Sequence, residues 1–508
     1  MNYFKKQIKK IIEFIKNNKL EAALILVILL GAAFLRLYRI ADYMTFLGDE
    51  GRDALVVKRM IVDHKPTLLG PTASVGGFFL GPIYYFFMIP FLWVFKLDPV
   101  GPAVMVALFG LATIFLIYRV GKQFFDVKVG LLAAAFYAVS PLMIAYNRSS
   151  WNPNIMPFFS LLAIYSIWRV AVKKQGYYLG LIGLCLGVAF QLHYLAVFLS
   201  LVIGAYLLLF ARKSARLKDY LLGVVGFLLT FSPFLLFELR HQFPNLKSLY
   251  RFVLYGKETG VAARKVVPKL AEIFFRIFSR FVTDSREPIN WIIVVLSLSI
   301  FIFLLWRSRK KKISKTYFLL AVWMVVGIGL FVFYRKDVYD HYLGFLYPLP
   351  YILTALVLVK IGRLGKIGVL VASALVIWIF WANSQGIPFQ FEPNRQLLQT
   401  KNVVTSIIKK AGDKPLNFAL VTGHNSDHAY RYFLEVWGHE PVVIQNFEAD
   451  PERKTVTDQL FVVCESQVCD PLGHSLWEIA GFGRAEIESD WKVSVIKIYK
   501  LKRWSGED

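Results

Sequence analysis

The sequence predicts an α-helical polytopic membrane protein with about 11 transmembrane helices and a small C-terminal α/β soluble domain. Three observations predict it. First, 56% of the 508 residues are hydrophobic and only 18% are charged, whereas an ordinary soluble domain carries about 25% charged residues. So much Leu, Val, Ile and Phe cannot be hidden in soluble cores. Second, apolar runs of about 20 residues, the length that crosses a bilayer, recur along the chain. Third, Lys and Arg concentrate in the short loops between alternate runs. Together these exclude a disordered chain, a collagen-like fold and a disulfide-stapled secreted scaffold.

Taken in order, the predicted spans are 21–38, 100–118, 129–146, 154–172, 177–192, 194–210, 220–237, 289–306, 316–334, 342–359 and 366–382. The segment 21–38 is too long for a signal peptide and lacks a small-residue cleavage site, so it reads as a retained first span. A further apolar stretch, 79–95, is short and opens with Gly81-Pro82. Orientation follows from the basic loops. The N-terminus carries Lys5, Lys6, Lys9, Lys10, Lys16 and Lys19; later loops carry Arg119, Lys122 and Lys128, then Lys173 and Lys174, then Arg212, Lys213, Arg216 and Lys218. Two more hold Arg307, Arg309, Lys310, Lys311, Lys312 and Lys315, then Lys360, Arg363 and Lys366. All fall on the cytoplasmic side only if 79–95 does not cross, so that stretch is expected to lie at or dip into the outer face. The expected location is the plasma (inner) membrane, multi-pass, with the N-terminus cytoplasmic and the C-terminal domain extracytoplasmic. The net charge of +25 then reads as a topology signal and a contact with anionic membrane lipids, not as a nucleic-acid footprint.

Outside the membrane on the far side remain the loops 39–99 and 238–288 and the tail. The expected division is a membrane-embedded domain 1–383, whose first external loop 39–99 bears the candidate carboxylates, and an extracytoplasmic domain 384–508. Asn383–Pro393 is the expected hinge. In the tail, apolar runs shorten to strand length at Asn417–Thr422, Leu460–Cys464 and Val493–Tyr499, and alternate with helix-like stretches Asn402–Lys410 and Ser426–Trp437, which reads as α/β. The tail holds no catalytic motif, so it is expected to serve acceptor recognition or to shield the site. Cys185 reads as a small residue packed within a span. Cys464 and Cys469 leave both a disulfide and two free thiols open, and no Cys/His spacing resembles a zinc site.

The most informative stretch is Gly48-Asp49-Glu50-Gly51-Arg52-Asp53-Ala54, just beyond the first span. Adjacent carboxylates followed by an arginine also suit the N-terminus of an ordinary helix. Downstream stand Gly81-Pro82-Ile83-Tyr84-Tyr85, then Ser140-Pro141 with Tyr146-Asn147-Arg148-Ser149-Ser150-Trp151, and later His341-Tyr342-Leu343 leading to Pro348-Leu349-Pro350. In this order the motifs resemble the polyprenyl-phosphate-dependent glycosyltransferases of the GT-C fold, among them the protein O-mannosyltransferases and the bacterial lipid A aminoarabinose transferases. The resemblance covers roughly residues 20–360. It implies a GT-C-like membrane domain and a sugar donor carried on polyprenyl phosphate. The departures are specific. The aminoarabinose transferases carry a Lys before a Pro-Pro pair where this chain has Leu80-Gly81-Pro82. The mannosyltransferases carry His-Pro-Pro there and an Asp after the Arg of their second motif, where this chain offers Asn152 and Asn154. Neither of those two activities is supported specifically, and the chain looks more like the broad, mostly prokaryotic group of relatives.

The chemistry can be argued from the residues themselves. A sugar on a lipid phosphate already has a good leaving group, so the paired acid and base of glycoside hydrolysis are not both needed. One carboxylate must take the acceptor's hydroxyl proton, and cationic groups must stabilise the departing phosphate. Asp49 fits the base; Glu50 is left to orient it, bind a cation or bind acceptor. A divalent cation is the one cofactor this leaves open. Arg148, which follows an apolar run, is the first candidate for phosphate, although an interfacial Arg can simply snorkel. Arg52, His193 and His341 are further substrate-binding candidates, with Arg240 and His241 weaker ones. The expected function is an inverting glycosyltransferase that moves the sugar to a lipid, glycan or protein acceptor at the outer face. The alternative is a transporter or flippase for a lipid-linked substrate, but mid-span positions are apolar and no paired broken segments mark inverted repeats.

Overall fold

The computed structural model describes residues 13 and 15–506 apart from 74, 257–258, 261–265, 285–289, 312, 424, 467–468 and 505. Lys5, Lys6, Lys9, Lys10 and Lys312, counted above as cytoplasmic charges, lie outside the described residues. The chain divides into two compact units, one of Met1–Tyr38, Thr67–Phe87 and Val104–Glu392, the other of Arg39–Pro66, Met88–Ala103 and Pro393–Asp508.

The first unit is helical. Most predicted spans coincide with one helix, but 129–146 is broken at Ser140 into Val127–Val139 and Pro141–Tyr146, and 342–359 falls on two helical segments. Among the described residues seven helices are long and apolar enough to cross a membrane: Lys19–Leu37, Val100–Phe124, Asn152–Lys173, Ala196–Ser214, Leu217–Arg240, Ser314–Phe333 and Lys366–Ser384. A bent pair, Asp340–Leu346 with Pro348–Ile361, meets the same test as one broken span, and Val127–Val139, Tyr178–Leu192, Val294–Ser308 and Ile83–Val94 are shorter. The bend falls where Pro348 denies the chain a backbone donor. Apolar side chains on the outside support a lipid setting: Leu221, Leu229 and Leu236 are exposed on Leu217–Arg240, a contiguous apolar face that water would not tolerate. Where helices meet, small residues let the backbones approach; a Cβ at Gly183 would run into the Gly223 carbonyl of the neighbouring helix. A charge inside the apolar layer is costly unless its hydrogen bonds are met. Arg36, fully buried near the end of the first helix, meets that demand by donating from Nε to Asn147 Oδ1 at 3.0 Å and from Nη1 to the Ala138 carbonyl at 2.9 Å.

The second unit is α/β. Its sheet has the order β1-β2-β4-β3, with β1 (Asn417–Val421) parallel to β2 (Gln459–Cys464), and β4 (Ile496–Arg503) antiparallel to both β2 and β3 (Ala485–Val493). The buried face is built on Leu460, Val462, Tyr499 and Leu501. The sequence reading of Val493–Tyr499 as one strand is corrected here. Ser494 takes a positive φ of 56°, so the chain turns at Ser494-Val495 and the run is split between two strands. The first of these, β3, escaped notice because its pattern is charged, with Glu486, Glu488 and Asp490. It is an edge strand, where charge is expected, and its acids pair across to Lys502, Lys500 and Lys497 on β4. The helix Gln396–Ala411 packs through Ser406, whose hydroxyl accepts from the Trp491 indole at 3.2 Å. Cys464, at the end of β2, is joined to Cys469 in a disulfide. Within this same unit, Arg39–Pro66 and Met88–Ala103 pack with the tail.

Candidate functional site

Asp49 and Glu50 stand in the first turn of the helix Gly48–Val62, where the unpaired backbone N–H groups favour acids. Glu50, three residues into the helix, folds back so that its Oε2 accepts the Leu47 backbone N–H at 3.1 Å, half of a capping box. The Gly48 N–H is capped from elsewhere: it donates to Asn425 Oδ1 of the tail at 2.9 Å. Asn425 in turn donates from Nδ2 to both oxygens of Glu465 at 3.1 and 3.0 Å, and the Tyr430 hydroxyl donates to Glu465 Oε1 at 2.8 Å.

The four charged residues of the motif take different places. The Asp49 side chain is 53% exposed. Glu50 is 8% exposed and Asp53 fully buried. Arg52 ties two of them together, donating from Nη1 to Asp49 Oδ1 at 2.8 Å, and from Nε and Nη2 to Asp53 Oδ1 at 3.0 and 2.8 Å. Burial pushes the Glu50 carboxyl up to about 7, against the backbone hydrogen bonds that favour its charge, and the neighbouring Asp49 and Asp53 add to the rise.

The tail helix His428–Val436 packs on the helix of the carboxylates because Gly48 and Gly51 leave room. A Cβ at Gly51 would lie 2.5 Å from Ala429 Cα and 2.6 Å from the His428 carbonyl carbon, and one at Gly48 2.9 Å from Ser426 N. Farther along, Glu435 accepts from Lys58 at 3.1 Å and Arg59 at 2.8 Å. Burial opposes its ionisation, but the hydrogen bonds from Arg59 and Lys58 outweigh burial and hold the carboxyl below its ordinary range. His428 Nδ1 meets Ser426 Oγ at 2.8 Å. Burial lowers its proton affinity; Asp427 counters this, Arg52 lowers it further and Asp49 raises it.

In the first unit the remaining motifs are brought together. The Tyr84 hydroxyl is 2.8 Å from Ser150 Oγ, joining the Gly81-Pro82 segment to the second motif. Gln191 accepts the Ile83 N–H at 3.3 Å. Trp151 of the second motif lies against His341, ring centroids 4.5 Å apart. His193 and His341 are 5.9 Å apart by centroid, within a ring cluster that includes Tyr194, Tyr339 and Tyr342. His193 Nδ1 accepts the Leu195 N–H at 3.2 Å, which leaves Nε2 to carry the proton. Arg148 is buried; its Nη1 and Nη2 donate to the carbonyls of Leu35 and Tyr38, each at 2.8 Å, and its guanidinium stacks 5.1 Å over Phe389. It closes the end of the first helix, where carbonyls have no intrahelical donor.

Two cavities of this unit bear on the site. One of about 430 Å³ is polar and lined by three cations, Lys269, Arg276 and Arg280, and three acids, Glu272, Asp337 and Asp340, with Tyr146 and His341 beside them; Arg276 is paired with Glu272. Asp340 pairs with Arg280 at 3.1 Å and Arg276 at 3.6 Å. The other, of about 650 Å³, is apolar, with Phe78, Phe198, Phe231, Phe234 and Gly81 in its wall. One hydrogen bond links their walls: Lys269 of the polar cavity donates to the carbonyl of Tyr334, which lines the apolar one, at 2.6 Å. The three cations were not singled out in the sequence. Their spacing, 269, 276 and 280, puts them on one face of the helix Val266–Thr283, since residues three, four and seven apart are neighbours on a helix, and that periodicity was the available signal. Asn425, Glu465 and Tyr430 carried none, because their role depends on contacts with a distant helix. Among the described residues no group of three or more His, Cys, Asp or Glu is placed to hold a metal ion.

Residues 81–237 match the family model described as dolichyl-phosphate-mannose-protein mannosyltransferase; the matched stretch holds the Gly81-Pro82 segment, Arg148 and His193. The chain is similar to the structure of ArnT from Cupriavidus metallidurans bound to undecaprenyl phosphate, with 13% identity over 96% of this chain and 98% of that one and a TM-score of 0.61. It is also similar to the archaeal oligosaccharyltransferase AglB from Archaeoglobus fulgidus in complex with an inhibitory peptide and a dolichol-phosphate, with 11% identity over 88% of this chain and 70% of that one and a TM-score of 0.53. No curated protein sequence matches the chain. ArnT and AglB are both GT-C glycosyltransferases, and the chain has the GT-C fold that its motifs resemble.

Proposed function

We propose that the protein is an inverting glycosyltransferase that moves a sugar from a polyprenyl-phosphate-linked donor to a lipid, glycan or protein acceptor at the outer membrane face. The observation that supports this reading is the pair of cavities whose walls are linked by the Lys269–Tyr334 hydrogen bond. A polar chamber that offers Lys269, Arg276 and Arg280 among the carboxylates of Glu272, Asp337 and Asp340, beside an aromatic, apolar one, gives cationic donors to the anionic head of a ligand on a hydrocarbon chain. Lys269, Arg276 and Arg280 would neutralise the phosphate as it departs, and the apolar cavity would hold isoprene units. The solvent-accessible Asp49 serves as the base, its carboxylate oriented by Arg52. The acceptor oxygen attacks the anomeric carbon from the side opposite the phosphate, its proton passes to Asp49, and the bond from that carbon to the phosphate oxygen breaks, releasing polyprenyl phosphate. Glu50, buried and hydrogen-bonded to the Leu47 backbone, supports the turn that presents Asp49.

The topology proposed with this function has about 11 spans, the three shorter apolar helices crossing and Ile83–Val94 lying at the outer face, with the tail extracytoplasmic. Labelling of single cysteines introduced in the tail tests it, and cytoplasmic labelling there overturns it. The function is tested by presenting the purified full chain with a panel of radiolabelled polyprenyl-phosphate sugars and assaying transfer or hydrolysis. Consumption of at least one donor with release of polyprenyl phosphate is expected. Donor translocation across proteoliposomes with no bond broken would overturn the reading in favour of a flippase.

A further inference from the structure

The tail was expected to hold no part of the chemistry. The second unit shows a hydrogen-bonded chain that runs from the sheet of the tail to the helix of the carboxylates. Glu465 follows Cys464 directly, at the end of β2, and the Cys464–Cys469 disulfide closes the short loop that holds it. Its carboxylate accepts from the Asn425 amide at 3.1 and 3.0 Å and from the Tyr430 hydroxyl at 2.8 Å. That fixes which way the Asn425 amide faces: Nδ2 points to Glu465, so Oδ1 is left to accept, and it takes the Gly48 N–H at 2.9 Å together with the Ser426 N–H at 2.9 Å. Gly48 is the first residue of its helix, and Asp49 follows it. The residue at the helix's own N-cap is Leu47, whose side chain has no acceptor. The function that a Ser, Asp or Asn normally performs there is delegated to a residue 377 positions away. The bare glycines at 48 and 51 permit this, since a Cβ at either would collide with Ser426 or Ala429.

We infer that Asn425, held by Glu465 and Tyr430, is a positioning residue that sets the first turn of the Gly48–Val62 helix and with it the direction of the Asp49 carboxylate. The inference rests on the proposed function for its catalytic consequence, but the link itself is structural and is read without turnover. It makes the tail an integral part of the reaction machinery rather than an appended domain. A cap replaced by nothing lets the first helical turn fray, and an oxygen that must meet an acceptor hydroxyl at hydrogen-bond distance loses effectiveness steeply with misplacement on the scale of 1 Å.

The test uses the full chain in lipid nanodiscs, with Asn425→Ala, Asn425→Asp, Glu465→Gln and the double variant Asn425→Asp/Glu465→Gln. Amide hydrogen exchange over residues 47–51 is measured in each, beside kcat and KM for donor. In Asn425→Ala the exchange of this segment should quicken by about 5- to 10-fold, and kcat should fall by about 10- to 100-fold with KM for donor little changed. Asn425→Asp keeps the acceptor for Gly48 but sets two carboxylates against each other, and should be impaired. In the double variant the amide introduced at position 465 donates to the carboxylate introduced at position 425. The polarity of the pair is exchanged, and both protection and kcat should return. Rescue by exchange distinguishes positioning through this chain from a general loss of packing. Unchanged exchange over 47–51 in Asn425→Ala, or a double variant no better than Asn425→Asp, overturns the inference. Loss of protection with undiminished kcat also overturns it. Absence of transfer by the wild-type protein would instead overturn the proposed function, and the exchange measurements would still decide the link.

Discussion

Gly51→Ala should damage this protein, although the same change in an open helix helps. Alanine is the better helix former by about 1 kcal/mol, so the sign is informative. At position 51 the added methyl would stand 2.5 Å from Ala429 Cα and 2.6 Å from the His428 carbonyl carbon, where ordinary contact begins at 3.4 Å. The shortfall is about 1 Å, and the obstructing atoms are backbone, so no rotamer change relieves it. The tail helix must back away or the Gly48–Val62 helix must turn. Overpacking of this kind costs about 1–3 kcal/mol, which offsets the propensity gain and leaves a net loss of up to about 2 kcal/mol. Asp49 is within one helical turn of the clash, and a carboxylate displaced by about 1 Å can lose on the order of 10²-fold in rate. The assay is thermal unfolding of the full chain in nanodiscs beside single-turnover sugar transfer. Gly31→Ala is the control: a Cβ there meets nothing within 4 Å, so that variant should be as stable as the parent or slightly more so. A Gly51→Ala protein that melts at or above the parent temperature and transfers sugar at the parent rate would refute the packing argument.

Further outcomes are expected. Asp49→Asn keeps size and hydrogen bonding but removes the proton acceptor, and should lower single-turnover transfer by about 10²–10⁴-fold with donor affinity kept. Glu50→Gln should do less, and near-normal transfer by Asp49→Asn would move the base to Glu50 or Asp53. The Glu50 carboxyl, raised from 4.5 to about 7 by burial, retains in the fold a proton that the unfolded chain releases. Its contribution favours the fold below about pH 4.5 and is lost as pH rises through about 7. Melting temperature followed between about pH 5 and pH 8 should therefore carry a downward component that Glu50→Gln, a mimic of the protonated form, removes. Arg280→Gln should weaken binding of polyprenyl phosphate by about 10-fold or more at low salt, with less effect at high salt, because the contact proposed is a charge-assisted one; unaltered binding would take Arg280 out of the phosphate chamber.

What the sequence determined by itself is what local chemistry dictates. An apolar run of about 20 residues has few alternatives to a helix in lipid, so the predicted spans fall on helices from Lys19–Leu37 to Lys366–Ser384, two of them, 129–146 and 342–359, broken before a proline. The short stretch opening at Gly81-Pro82 is a helix of only 12 residues, Ile83–Val94. The motif residues Asp49, Arg148, His193 and His341 were legible because charged and imidazole groups next to apolar runs stand out. Contacts between residues far apart in the chain were not legible, since no local pattern encodes them. Only the tertiary structure decided that Asp49 is exposed while Glu50 and Asp53 are buried, because three neighbours on a helix face different surroundings. Only it brought His193 to His341, occupied Arg148 with the carbonyls of the first helix, and gathered Lys269, Arg276 and Arg280 around one cavity. The split of Val493–Tyr499 turned on a single positive φ at Ser494, which residue type does not announce. The cap that Asn425 places on Gly48 could be seen only when both ends were in hand, since a hydrogen bond is made by position in space and sequence records position along the chain alone.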